Sequence, residues 1–169
     1  MLLPKTIEKL ERRFVMKSYK HILVPLDGSE LAELALADAF GIAKLSQAQV
    51  TLLQVVPPIE HVLNAASGYP IFIDQQWEYQ ETLALQYLED VCTRVECKDI
   101  SVCTDVERGP AGETIIDYAH QHPIDLIVMA THGRSGLQRW VYGSVADKVL
   151  RGADLPVLLV RAHPKQGAK

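Results

Sequence analysis

The stretch I-D-L-I-V-M-A-T-H-G-R-S-G-L-Q-R-W-V-Y-G-S-V-A-D-K-V-L-R-G, from Ile124 to Gly152, reads as a strand, a glycine-bearing turn and a helix in succession. Ile124–Ala130 is the most apolar strand candidate of the chain. It lacks the alternation of a half-solvated strand, as expected where both faces of a sheet are covered. Gly133, Gly136 and Gly143 punctuate the turn, and Ser144–Arg151 then reads as a helix that Ser144 can cap and Gly152 stops.

The same alternation extends to both sides of this unit. Lys20–Leu26 (KHILVPL) is a short apolar run ending at the turn cluster Asp27-Gly28-Ser29, and Ser29 can cap the proline-free segment Glu30–Leu45. Gln49–Val56 is a second buried-strand pattern, stopped by Pro57-Pro58. Residues 57–74, with Gly68 and Pro70, read as a long loop. Gln75–Glu96 places Trp77, Ala84, Leu88, Val91 and Val95 on one helical face. Ile100–Val106 alternates, as a strand nearer an edge does; Gly109–Gly112 reads as a turn, and Glu113–Gln121 as a short helix. Pro156–Arg161 supplies a fifth strand. The order β-α-β-α-β-α-β-α-β predicts an α/β fold: a five-stranded, mostly parallel, doubly wound sheet with helices on both faces, because crossovers between parallel strands are right-handed.

Whole-chain properties bound the function. The 169 residues suit one domain, and 48% hydrophobic content suffices for one core. A net charge of -4 without a basic stripe disfavours nucleic acid as the principal ligand. No apolar run reaches the roughly 18 residues that cross a bilayer, and the N-terminus lacks the pattern of a secretory signal, so the expected location is the cytoplasm. Residues 1–17 read as an N-terminal extension, either a short amphipathic helix with Ile7, Leu10 and Phe14 at helical spacing or a disordered tail. Residues 18–163 form the expected domain, and 164–169 a C-terminal tail. Cys92, Cys97 and Cys103 are an odd, loosely spaced set, read as free thiols of a reducing compartment. Even with His120 or His122 recruited, they lack the tight spacing of a zinc site.

In a doubly wound sheet, ligands bind beyond the carboxyl ends of the strands where strand order reverses. That rule selects the turns after the first and fourth strands. In the later turn the glycines leave backbone amides uncovered, and Gly143-Ser144 precedes a helix whose first N–H groups suit an anion. Glycine punctuation without a ligand is the plain alternative. In the first turn, the lone carboxylate Asp27 suits hydroxyl or base-edge recognition, or serves simply as a turn or cap residue. G-x-x-x-x-G-K-[ST] and a first-turn G-x-G-x-x-G are both absent, which disfavours a P-loop NTPase and a dinucleotide dehydrogenase.

Pro25-Leu26-Asp27-Gly28-Ser29, Met129-Ala130-Thr131-His132-Gly133 and Gly143-Ser144-Val145 together resemble the universal stress protein (UspA-like) family, over nearly all of Lys20–Arg161. The nucleotide-binding branch of that family carries G-x2-G-x9-G-[ST]. Gly133, nine residues and Gly143-Ser144 match its second part, whereas Ala130 stands at the first glycine. A positive φ there would cost a methyl-bearing residue about 1 kcal/mol. A mere requirement for a small side chain is met by alanine, and that is the reading we favour.

The resemblance implies a Rossmann-like fold of the adenine nucleotide α-hydrolase-like kind and a ligand such as ATP, ADP or AMP, with Mg2+ or Mn2+ held through the phosphates near Ser144. Asp27 would bind ribose or adenine and Pro25 would line the base pocket. Val55 would offer backbone groups to the adenine edge, and Met129 and Ala130 would wall the ribose. Gly133, Gly143, Ser144 and Val145 would hold the phosphates, with Arg134 and Arg139 as supplementary partners. His132 has no nucleophile or orienting carboxylate paired with it in the sequence, so no catalytic residue is assigned. The implied function is a stress-related, nucleotide-binding regulatory protein, a homodimer through Pro156–Arg161 with a further protein partner unspecified. The alternatives are a weak ATPase or self-phosphorylating enzyme, and a nucleotide-free dimeric interaction module.

Overall fold

The computed structural model describes residues 18–58, 73–95, 99–131 and 143–161. Five strands, β1 (His21–Leu26), β2 (Gln49–Val56), β3 (Val102–Arg108), β4 (Leu126–Thr131) and β5 (Val157–Arg161), form one sheet in the order β3-β2-β1-β4-β5. All four pairings are parallel, so the sheet is wholly rather than mostly parallel. The intervening helices are α1 (Glu30–Ser46), α2 (Ile73–Arg94), α3 (Ala111–Gln121) and α4 (Ser144–Gly152). The strand expected at Ile100–Val106 begins and ends two residues later, and takes the edge position that its alternation suggested.

Side-chain parity sorts the core into two layers. Ile22, Val24 and Leu26 of β1 and Leu126 and Val128 of β4 pack with Ala35, Ala39, Phe40 and Ala43 of α1 and Leu88 and Val91 of α2. On the opposite face Leu23, Leu53, Ile127 and Met129 pack with Ile115, Tyr118 and Ala119 of α3 and Ala146 and Val149 of α4. Because successive residues of a strand point to opposite faces, a strand serving both layers must be apolar throughout. That requirement explains the unbroken runs in β1 and β4. Each fully buried aliphatic side chain contributes about 1.5–3 kcal/mol.

Local chemistry sets the element ends. Ser29 Oγ accepts from Ala32 N at 3.1 Å and caps α1. At its other end α1 is closed by Gln47 at φ 54°, whose N–H donates to Ala43 O. Gln49 N then donates to Lys20 O, setting the start of β2 beside β1. The turn expected at Gly109–Gly112 is shorter, since α3 already begins at Ala111. Gly152 does not stop α4 but is its last residue, followed by Ala153 as the cap. A Cβ there would stand 2.6 Å from Ile116 Cδ1 of α3, so the isoleucine side chain would have to shift to admit one.

β1 carries a proline in mid-sheet, where a missing N–H is normally disfavoured. Its ladder to β2 runs the full strand, from His21↔Gln49 to Leu26↔Gln54. Its ladder to β4 ends at Leu23↔Ile127, two residues before Pro25. A proline has no donor with which to extend that pairing. The two central strands are therefore released from each other at their carboxyl ends, at the point where strand order reverses. Among the described residues no helix is long and apolar enough to cross a membrane.

Candidate functional site

A cavity of about 250 Å³ opens at that reversal. β1 and its following turn contribute Pro25, Leu26, Asp27 and Ser29, and α1 contributes Leu31 and Ala32. Val55 comes from β2, and Met129, Ala130 and Thr131 come from β4. Gly143, Ser144, Val145 and Ala146 enter from the start of α4, and Ala111 and Ile115 from α3. Of the nine residues singled out from sequence, the eight that are described (Pro25, Asp27, Val55, Met129, Ala130, Gly143, Ser144 and Val145) all line this one cavity. Gly133 lies outside the described residues, as do His132, Arg134 and Arg139.

Asp27 is held by its own turn. Its Oδ1 accepts from Ser29 N at 3.0 Å and from Ser29 Oγ at 2.6 Å. The serine that caps α1 thus also orients the carboxylate, coupling the helix start to the cavity wall. Behind the turn, Glu33 of α1 accepts two hydrogen bonds from Arg94, at 2.8 and 2.9 Å, and one from Tyr87 Oη at 3.1 Å. The Arg94 hydrogen bonds hold the Glu33 carboxyl below the usual carboxylate range. Burial first, and then the neighbouring Glu33 carboxylate, push the Tyr87 hydroxyl well above the ordinary tyrosine value. Tyr87 therefore stays a neutral donor and fastens α2 to the first turn of α1.

The start of α4 differs from expectation in one respect. Ser144 is the first helical residue, and the cap is Gly143, with no side-chain cap hydrogen bond. Gly143 O accepts from Asp147 N at 2.9 Å, whereas the N–H groups of the first turn have no carbonyl within the helix to meet. Gly143 sits at φ 81°, and a Cβ built there meets nothing within 4 Å. The glycine is required by backbone conformation rather than by space. The start of α3, at Pro110, also lacks a side-chain cap, and Ala111 faces the same cavity. Two uncapped helix starts with partial positive charge therefore border one opening.

Ala130 sits in regular β4 and is paired with Val160; the one non-glycine residue of positive φ among those described is Gln47. The motif position thus needs no left-handed backbone here, and a methyl group is compatible with it.

Sequence reasoning missed Ala111, Ile115 and Thr131 as lining residues. Ala111 follows the turn after the third strand, and every turn after a parallel strand lies at the same end of the sheet, so the signal was present in the topology. Ile115 carried no signal apart from its helical spacing. Asp27 is the single ionisable side chain among the described lining residues. The cavity thus joins apolar walls, one oriented carboxylate, serine and threonine hydroxyls, and free amides at helix starts. It suits a ligand with a flat apolar portion, hydroxyls and an anionic end.

The family model described as "Universal stress protein family" matches residues 18–161. A universal stress protein of Methanocaldococcus jannaschii, MJ0531, is 32% identical over 148 residues, covering 88% of this chain and 85% of its own. Among solved structures, the hypothetical protein MJ0577 superposes with a TM-score of 0.71 at 28% identity, covering 88% of this chain and all of its own. A universal stress protein solved in complex with cAMP shares the fold at 18% identity and a TM-score of 0.62, covering 86% of this chain and 98% of its own. One from Archaeoglobus fulgidus, in complex with dAMP, shares it at 18% identity and a TM-score of 0.52, covering 85% and 98%.

Proposed function

Because the chain belongs to the universal stress protein family, we propose that it binds an adenine nucleotide in the cavity between the carboxyl ends of β1 and β4 and acts as a nucleotide-responsive regulatory module. The observation that carries this reading is the convergence on one cavity of the oriented carboxylate Asp27 and the uncapped start of α4. Two structural neighbours solved with adenine nucleotides, cAMP and dAMP, support the ligand class.

In this reading Asp27 accepts from ribose hydroxyls or the adenine edge, Pro25 lines the base pocket and Val55 offers backbone groups to the base. Met129 and Ala130 wall the ribose. The amides of Gly143, Ser144 and Val145, with the Ser144 hydroxyl and Gly133, receive the phosphates, because amides at a helix start stabilise anions without a desolvated cation. Asp27 is the single carboxylate among the described lining residues, so Mg2+ or Mn2+ would arrive on the phosphates and be helped by Ser144. β5 has Val157, Leu158, Leu159 and Val160 half-buried at a sheet edge, and residues 156–161 are the surface through which two copies would pair.

The test is the nucleotide released when the purified protein is denatured, together with titration of the emptied protein by ATP, ADP, AMP and cAMP. Ligand at 100-fold over Kd stabilises the fold by about 2.7 kcal/mol, read as a raised unfolding midpoint. An empty preparation that no adenine nucleotide stabilises at millimolar concentration would overturn the proposal.

A further inference from the structure

The turn that carries Asp27 is weakly held by its own backbone. Asp27 and Gly28 are exposed, Gly28 sits at φ 83°, and a Cβ built there meets nothing within 4 Å, so packing among the described residues does not fix it. The carboxylate is instead oriented by Ser29, whose N–H and hydroxyl both donate to Oδ1, which leaves Oδ2 for a ligand. Ser29 is tied to α1 by two hydrogen bonds. Its Oγ accepts from Ala32 N at 3.1 Å, and its carbonyl accepts from Glu33 N at 3.3 Å. The second is longer than the usual N–H···O bond, and helix ends fray. Asp27 therefore moves with the first turn of α1.

Glu33 closes that turn, and its side chain leads to α2. Arg94 Nη1 and Nη2 donate to Oε2 and Oε1 of Glu33 at 2.9 and 2.8 Å, and Tyr87 Oη donates to Oε1 at 3.1 Å. A two-pronged guanidinium–carboxylate pair fixes direction as well as distance. The Arg94 side chain is 57% exposed, and an ion pair open to solvent adds little to stability, so the consequence of this grip is geometric. Its base is firm, because Tyr87 packs on the core on the same helix as the fully buried Leu88 and Val91. Burial and Glu33 raise the Tyr87 hydroxyl first, and the Asp27 carboxylate adds to the same shift. The grip and the ligand-facing carboxylate thus lie within each other's field.

We propose that Tyr87 and Arg94 are positioning residues for the nucleotide: gripping Glu33 from α2, they fix the first turn of α1 and, through Ser29, aim the Asp27 carboxylate at its ligand. This role rests on the nucleotide reading given above. It matters for affinity because a recognition group must be held within about 0.5 Å of its productive place, and a solvent-exposed glycine turn does not hold one alone. Neither Tyr87 nor Arg94 lines the cavity, so both act at one remove from the ligand.

A double-mutant cycle on the full chain, read by calorimetric titration with ATP, tests this. Tyr87→Phe with Arg94→Met should weaken affinity about tenfold. In an Asp27→Ala background the same two changes should alter affinity by less than about twofold, because the grip acts through Asp27. Without nucleotide, hydrogen exchange at the Ala32 and Glu33 amides should quicken about tenfold in the Tyr87 and Arg94 variant. The amides of β1 and β4 should keep their protection, which establishes that the fold survives. An equal loss of affinity in both backgrounds would reduce the grip to a structural fastening and overturn the proposal. Unchanged affinity would overturn it too, as would unchanged exchange at Ala32 and Glu33. An unaltered chain that binds no nucleotide would overturn the nucleotide reading itself, and exchange measured on the ligand-free protein keeps that failure separate from a failure of the grip.

Discussion

The two ends of the β1–β4 pair share strands but treat polar groups in opposite ways. At the amino end polar groups satisfy one another. Asp125 accepts from Lys20 N at 2.8 Å and His21 N at 3.3 Å, and His21 Nε2 lies 2.8 Å from Thr51 Oγ1. At the carboxyl end the ladder stops before Pro25, two helix starts lack side-chain caps, and a cavity opens. The difference teaches where stability and recognition reside in this fold. One end fixes the register of the central strands; the other leaves donors for a ligand.

Gly143→Val should have the largest effect. A β-branched residue at φ 81° is strained and displaces the amides of α4, so nucleotide affinity should fall about 100-fold, roughly 2.7 kcal/mol, in a calorimetric titration. Asp125→Ala probes the opposite end. It leaves two backbone donors without their acceptor and should cost about 1–3 kcal/mol in urea unfolding. Nucleotide affinity should stay within about twofold, since well-separated sites act nearly independently. A loss of affinity like that of Gly143→Val would break the comparison.

Ala130→Gly sharpens it at the carboxyl end. If this strand position asks only for a small residue, glycine should lower stability by about 0.5–1 kcal/mol through chain entropy and leave affinity within about twofold. A tenfold gain would mean that the methyl group obstructs the ligand.

The smallest effect concerns pH at the amino end. Burial holds the His21 imidazole below its ordinary value, outweighing the opposing Asp125 carboxylate, with His122 adding to the lowering. A histidine pKa lowered by folding contributes stability that is full above about 6.5 and is lost as pH falls through the lowered value. His21→Gln should flatten that decline between pH 7 and pH 5, measured as the change in unfolding free energy. An unchanged slope would show that another group carries it.

Much of this was legible in local pattern. The apolar runs at Lys20–Leu26 and Ile124–Ala130 marked strands covered on both faces, and the alternation at Ile100–Val106 marked an edge, close to the observed β1, β4 and β3. Ser29 was legible because a side-chain cap demands a particular residue type, whereas the cap of α4 fell to Gly143 and not to Ser144. Less visible were the end of α4, where Gly152 lies against Ile116 of another helix, and the start of α3 inside an apparent turn.

The sequence by itself determined the β/α alternation, the two turns that matter and the side-chain chemistry at each, because periodicity, capping and glycine conformation act within a few residues. Tertiary structure alone decided that Asp27 and the start of α4 share one cavity, that Ala111 and Ile115 join its wall, and that Pro25 marks where the central strands part. It also decided the closed amino end, where Asp125 meets Lys20 across 105 positions of sequence. These juxtapositions depend on which strands pair, and the free energy of pairing is set by the burial of whole layers rather than by any short segment.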